Sequence, residues 1–212
     1  MDPSVVPIDD QPISSTFFGE GRWLTDFVTP DEPDVQLLWA DITDRINSTE
    51  DRIIAAWDWV ANEVHYKPFI SATLSVEGKT SVQKDYWQSP AVCSLTKVGN
   101  CANKSFLLAS LLRNELSPQQ VHCVLGNLLN GKYAGHAWVE INLNGKEYVV
   151  EATRNDVPLL ETRKADRYQP VHYFNDQEVY AVPGRTVLTP FQKCYSTWLR
   201  DYLNWNYIHG GR

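Results

Sequence analysis

The 212-residue chain is poor in several things, and each shortage removes a class of function. Its four cysteines, at positions 93, 101, 123 and 194, form no Cys-x-x-Cys pair. Neither a zinc knuckle nor a dense disulfide framework follows from that spacing. Cys93, Cys123 and Cys194 read as small buried apolar residues. Lysine and arginine nowhere cluster with interleaved aromatics, and the formal charge is −7. Non-specific binding to nucleic acid depends on clustered positive charge, so nucleic acid is not an expected partner. No stretch approaches the roughly eighteen consecutive apolar residues of a membrane span. The opening Met1-Asp2-Pro3-Ser4-Val5-Val6-Pro7 has neither the basic nor the apolar region of a secretory signal, which makes the cytoplasm the default expectation. Without such a signal the sequons Asn47-Ser48-Thr49 and Asn103-Lys104-Ser105 read as chance.

What is present is an ordinary globular composition, 43% apolar and 21% charged, in a length that suits one domain of mixed architecture. Residues 1–28, rich in Pro, Asp and Ser, read as an irregular arm ahead of a single domain over 29–212. Thr29-Pro30-Asp31-Glu32 predicts a capped helix start, followed by an apolar stripe of Val35, Leu38, Trp39, Ile42 and Ile46. Ser48 or Thr49 starts a second helix carrying Ile53, Ile54, Trp57, Val60, Ala61 and Val64. Trp39 and Trp57 are expected in the core. Residues 66–98 read as loop. The run from Cys101 to Leu112 is apolar on most sides, which predicts a helix buried in the middle of the domain.

From Val121 the pattern changes to short β runs: 121–129, 134–143 and 146–153, separated by Asn130-Gly131 and Asn144-Gly145. Residues 172–182 are a further strand candidate, and Thr189-Pro190 caps a final helix bearing Tyr195, Trp198, Leu199 and Tyr202. Helices come first and antiparallel strands follow, which argues for an α+β fold.

The hairpin at Asn144-Gly145 carries a geometric consequence. A two-residue turn pairs Leu143 with Lys146 and then places Ile141 opposite Tyr148, Trp138 opposite Glu151 and His136 opposite Thr153. Side chains alternate along a strand, so those last four share one face. His136 and Glu151 become diagonal neighbours with Cβ atoms about 7 Å apart, within reach of an imidazole–carboxylate hydrogen bond. Ala137, Val139, Ile141, Tyr148 and Val150 point the other way and are expected to bury against another layer.

Cys101 follows Gly99-Asn100 and opens the buried helix, where unpaired N–H groups and the helix dipole favour a thiolate. The same N–H groups could hold the oxyanion of a tetrahedral intermediate. Taken alone, a cysteine at a helix start or a histidine on a strand is more often structural. Together with the hairpin register they suggest a nucleophile (Cys101), a base (His136) and an acid that orients the base (Glu151). A metal site built from the same three would lack an evident fourth ligand.

These residues also carry a family resemblance. Gly99-Asn100-Cys101 with its apolar helix, Gly135-His136-Ala137-Trp138-Val139-Glu140, and Tyr148-Val149-Val150-Glu151-Ala152-Thr153 together resemble the transglutaminase-like superfamily. Asp85-Tyr86-Trp87-Gln88-Ser89-Pro90 is similar to that family's Trp-x-x-Pro stretch, and residues 53–66 to its lead-in helix. The resemblance covers roughly residues 50–155. It implies a papain-like α+β core whose nucleophile-bearing helix packs on an antiparallel sheet. It also implies a Cys-His-acid site with Cys101 as nucleophile, His136 as general base and acid, and Glu151 as the acid. Trp87 or Gln88 becomes a candidate oxyanion donor. Neither cofactor nor metal is implied. Three positions depart from the family pattern: Glu151 stands where Asp is usual, and Asn100 and Asn103 replace the acids of Gly-Asp-Cys-x-Asp.

The expected activity is thiol-dependent acyl transfer on a protein or peptide amide. Hydrolysis is favoured because the family's cross-linking members are larger and many small ones resemble peptidases. A transglutaminase with an amine acceptor, or a catalytically silent protein-binding module, are the alternatives.

Overall fold

The computed structural model describes residues 4–10, 12–13, 22–68, 70–76, 79–84, 86–130 and 132–187. The expected C-terminal helix from Thr189, the burial expected of Cys194 and part of the N-terminal arm lie outside these residues.

Among the described residues four α-helices pack with one large sheet. The helices are α1 (Pro33–Thr43), α2 (Thr49–Glu63), α3 (Pro90–Thr96) and α4 (Cys101–Leu112). The sheet has seven strands: β1 (Val6–Pro7), β2 (Val121–Asn130), β3 (Lys132–Leu143), β4 (Lys146–Val150), β5 (Leu160–Glu161), β6 (Tyr168–Phe174) and β7 (Val179–Ala181). Every pairing in it is antiparallel, in the order β1-β7-β6-β2-β3-β4-β5. The fold is α+β, as the sequence pattern predicts.

The β3–β4 hairpin pairs Leu143 with Lys146, Ile141 with Tyr148 and Val139 with Val150, the register that a two-residue turn requires. Both turn residues, Asn144 and Gly145, adopt positive φ, which explains why Asn-Gly stands there. The ladder ends at Val150, so Glu151 lies one residue past it.

The α4 helix packs across β2 and β3, and all twelve of its residues are buried. Ala137, Val139, Ile141 and Val150 meet Phe106, Leu107, Leu108, Leu111 and Leu112 in the main core. Each such leucine or phenylalanine contributes about 1.5–3 kcal/mol, an upper estimate that ignores compactness of the unfolded chain. The opposite face of the sheet is covered too: Trp138 joins Val124, Val149, Ala165, Tyr173 and Val182 in a second, smaller core.

Three local expectations need correction. The first helix starts at Pro33, not at Pro30, with Glu32 as N-cap. Thr29 Oγ1 does bond Glu32, but within the preceding turn, while the Thr29 N–H donates to Ser110 Oγ on α4. The helix also ends at Thr43, leaving Ile46 outside it. Residues 66–98 are not simply loop: Ser71–Val76 pairs with Lys79–Lys84, and α3 follows, with Ser89 as N-cap and Pro90 at its start. Residues 172–182 are not one strand but parts of the antiparallel pair β6 and β7.

Among the described residues no helix is long and apolar enough to cross a membrane.

Candidate active site

Cys101 is the first residue of α4, and the turn before it is tight. A Cβ on Gly99 would lie 3.0 Å from Asn103 Cβ and 3.2 Å from Cys93 Sγ, so only glycine lets the chain pass there without displacement. Asn100 is the N-cap: its Oδ1 accepts from the Asn103 N–H at 3.0 Å, while Asn103 Oδ1 accepts from the Asn100 N–H at 3.3 Å. Two asparagines thus build a reciprocal capping box. That box takes the third helical N–H and leaves those of Cys101 and Ala102 with no intrahelical acceptor.

His136 sits on β3 opposite Gly126 of β2. The opposition demands glycine: a Cβ at 126 would fall 2.3 Å from the Gln169 carbonyl oxygen and 2.5 Å from Trp138 Cη2. The Trp138 indole therefore slides over Gly126 and lies nearly parallel to the imidazole, at 22° with centroids 6.1 Å apart. The His136 Nε2 is 2.7 Å from Glu151 Oε2. Cys101, at the start of α4, lies close enough to the ring to act on it, helping to raise the imidazole pKa. Of the three residues singled out in the sequence, His136 and Glu151 are joined by a hydrogen bond, and Cys101 lies within electrostatic reach of the ring.

Glu151 is held from every side. Its Oε1 accepts from the Thr153 N–H at 2.9 Å and from Thr153 Oγ1 at 2.7 Å. Its Oε2 accepts from the Tyr168 hydroxyl at 3.1 Å as well as meeting His136. Its main-chain carbonyl accepts from the Trp57 indole N–H at 2.9 Å. Burial resists the charge on Glu151, but His136 and the Thr153 donors overcome it and hold the carboxyl below its usual range. Burial likewise opposes charge on His136; the Glu151 carboxylate and Cys101 outweigh it and raise the imidazole pKa. The pair favours an imidazolium facing a carboxylate.

Access is narrow: Cys101 and His136 keep 8% and 9% of their surface exposed. The remaining sequence candidates lie nearby in the chain. Trp87 is buried in an aromatic cluster, 5.4 Å from Phe27 and 5.1 Å from Phe106 between ring centroids. Gln88 is buried beside it, with its Oε1 lacking a hydrogen-bond partner.

Sequence reasoning missed Thr153 as a double donor, Tyr168, the Trp57 anchor, and Lys104. That lysine is 1% exposed, and its ammonium donates to the Ala61 and Val64 carbonyls at 3.0 and 2.8 Å. It places a cation at the C-terminal end of α2, where the helix dipole favours one. Burial pushes its pKa down to about 8, against the pull of Cys93 and Glu151. A lone lysine in an otherwise apolar helix was the available signal for it. Among the described residues no group of three or more His, Cys, Asp and Glu side chains is arranged to hold a metal ion.

A buried helix packed on an antiparallel sheet in an α+β core is the papain-like architecture. The sequence matches the transglutaminase-like superfamily over residues 38–151, more than half the chain, and the protein belongs to that superfamily. Among solved structures, LapG from Legionella pneumophila superposes with a TM-score of 0.52 at 13% identity, over 81% of this chain and 91% of that one. Its calcium-bound form gives a TM-score of 0.51 at 13% identity, over 79% and 88%. At that identity the likeness speaks to the fold. No curated protein matches the chain by sequence.

Proposed function

We propose that the protein is a thiol-dependent acyl-transfer enzyme, a cysteine peptidase or amidase acting on protein or peptide amides. One observation carries the reading: Cys101, at the start of a buried helix, acts on the ring of His136, whose Nε2 meets Glu151 Oε2 at 2.7 Å. The Cys101 thiolate attacks the amide carbonyl, and the tetrahedral oxyanion develops beside the free N–H groups of the first helical turn. The His136 imidazolium then gives its proton to the departing amine, leaving a thioester on Cys101. Neutral His136 takes a proton from the incoming water, and the second tetrahedral species collapses to a carboxylic acid and the Cys101 thiolate, which restores the starting pair with the His136 imidazolium. Glu151 keeps the ring in one orientation throughout and balances its charge. Water needs no binding site of its own, so hydrolysis is the assigned outcome; an amine acceptor would need a pocket that holds it against water.

The test is turnover of a panel of peptide amides by wild type and by Cys101→Ala, with and without a primary amine, read by mass spectrometry. Free acid produced only by wild type is the expected result. An amine conjugate would reassign the protein as a transglutaminase. Full activity in the alanine variant would remove Cys101 as nucleophile.

A further inference from the structure

We infer that Tyr168, which lies outside the segment matched to the superfamily, is a positioning residue for the Glu151–His136 pair; this deepens the functional reading above and rests on it. Tyr168 opens β6 and pairs with Leu128 of β2, so its place is set by the sheet rather than by a loop. Its hydroxyl donates at 3.1 Å to Oε2 of Glu151, the same oxygen that meets His136 at 2.7 Å. Its ring lies edge-on to Trp138 at 5.1 Å and tilted toward His136 at 6.5 Å. One side chain therefore fixes the carboxylate by a hydrogen bond and bounds the imidazole by contact.

The chain has a reason to need it. Glutamate carries one more rotatable bond than the aspartate usual at this position, so its carboxylate has more orientations available. Thr153 pins Oε1 with two donors but leaves Oε2 free to swing about that anchor. Tyr168 removes the remaining freedom. A donor on Oε2 also favours the ionised carboxylate, so the proton stays on His136 rather than passing to Glu151. The charged and titratable groups acting on Glu151 are His136 and Tyr168 from the sheet, Lys104 from α4 and Arg154 from the segment after β4, with Cys101 reaching it through the ring.

The experiment is iodoacetamide alkylation of Cys101 against pH in the full chain, followed by peptide mass spectrometry, for wild type, Tyr168→Phe, Glu151→Gln and His136→Ala. Phenylalanine keeps the ring contacts, so its melting temperature should match wild type; Tyr168→Leu gives the same comparison should the phenylalanine variant fold poorly. The expected wild-type profile stays fast well below the range of an ordinary thiol. That of Tyr168→Phe moves upward by about one pH unit, with rates at pH 9 unchanged. A Tyr168→Phe profile superimposed on wild type, while Glu151→Gln shifts, overturns the role of Tyr168 and leaves the site intact. A uniform loss at every pH, with a lowered melting temperature, marks Tyr168 as packing only and overturns it too. Four superimposed profiles would end both readings.

Discussion

Trp57 donates its indole N–H to the main-chain carbonyl of Glu151 at 2.9 Å, joining the middle of α2 to the residue just past the end of β4. The tryptophan is core, as its place in the apolar stripe implies, yet it also fixes the backbone on which the carboxylate hangs. Trp57→Phe leaves that buried carbonyl without its donor, a loss of about 1–3 kcal/mol. At roughly 2–4 °C per kcal/mol for a chain of this size, the melting temperature should fall by several degrees. Cys101 alkylation at pH 6 should slow with it. An unchanged melting temperature would show that the carbonyl finds another donor.

The carboxylate itself gives the second expectation. Glu151→Gln keeps the length of the side chain but removes the charge that supports the imidazolium. Turnover should fall by roughly 10²–10⁴-fold, with little change in thermal stability. Glu151→Asp keeps the charge but withdraws it by one methylene from both His136 and Tyr168. A loss on the order of tenfold is expected even though aspartate is the family's usual residue, because the partners here are placed for glutamate. Steady-state kinetics on the two variants separates charge from reach. Wild-type rates in Glu151→Gln would reduce that residue to a structural role.

A third expectation concerns a residue with no side chain. Gly126→Ala drives a Cβ to within 2.3 Å of the Gln169 carbonyl oxygen and 2.5 Å of Trp138 Cη2. The strand or the indole must move, at a cost of about 1–3 kcal/mol or more for overpacking. Because Trp138 lies against His136, the displacement should reach the site: lower stability in urea titration together with slower Cys101 alkylation. Loss of stability with unchanged alkylation would show that Trp138 does not hold the ring.

Much of this was legible in the sequence because it is local. Asn144-Gly145 fixes a turn type and the turn fixes the register; the ladder stops at Val150, short of the expected strand end at 153, yet Glu151 just beyond it still meets His136. The run after Cys101, apolar on most sides, announced a helix buried in the middle of the domain. What escaped was short or remote. The α3 helix, seven residues long, is too short to show a period, though Ser89-Pro90 carried a capping signal. Pro30 and Pro33 both suit a first helical turn, and the bond between the Thr29 N–H and Ser110 belongs to a contact across the fold. Trp57, Tyr168 and Lys104 reach the site only through tertiary packing, which no periodicity encodes.

Glu140 shows how the outer face of the same strand can be tested through pH. Its carboxyl is 4% exposed and accepts from Trp138 Nε1 at 3.1 Å. Burial raises its pKa from 4.5 to about 7, against the Trp138 hydrogen bond, which lowers it. Between pH 4.5 and 7 the folded chain therefore holds a proton there that the unfolded chain has released. Stability contributed by the neutral acid is full below pH 4.5 and is lost as pH rises through 7, on the order of 3 kcal/mol in total. Glu140→Gln keeps an acceptor for the indole and has no proton to lose. Relative to wild type, the variant should gain stability steadily between pH 4.5 and 7 and hold that gain above it. Urea titrations of both proteins at pH 4.5, 6 and 8 measure the difference directly. A constant offset across the three would mean that Glu140 titrates in the folded protein as it does in the unfolded one, and that the floor beneath Trp138 is wetter than its burial implies.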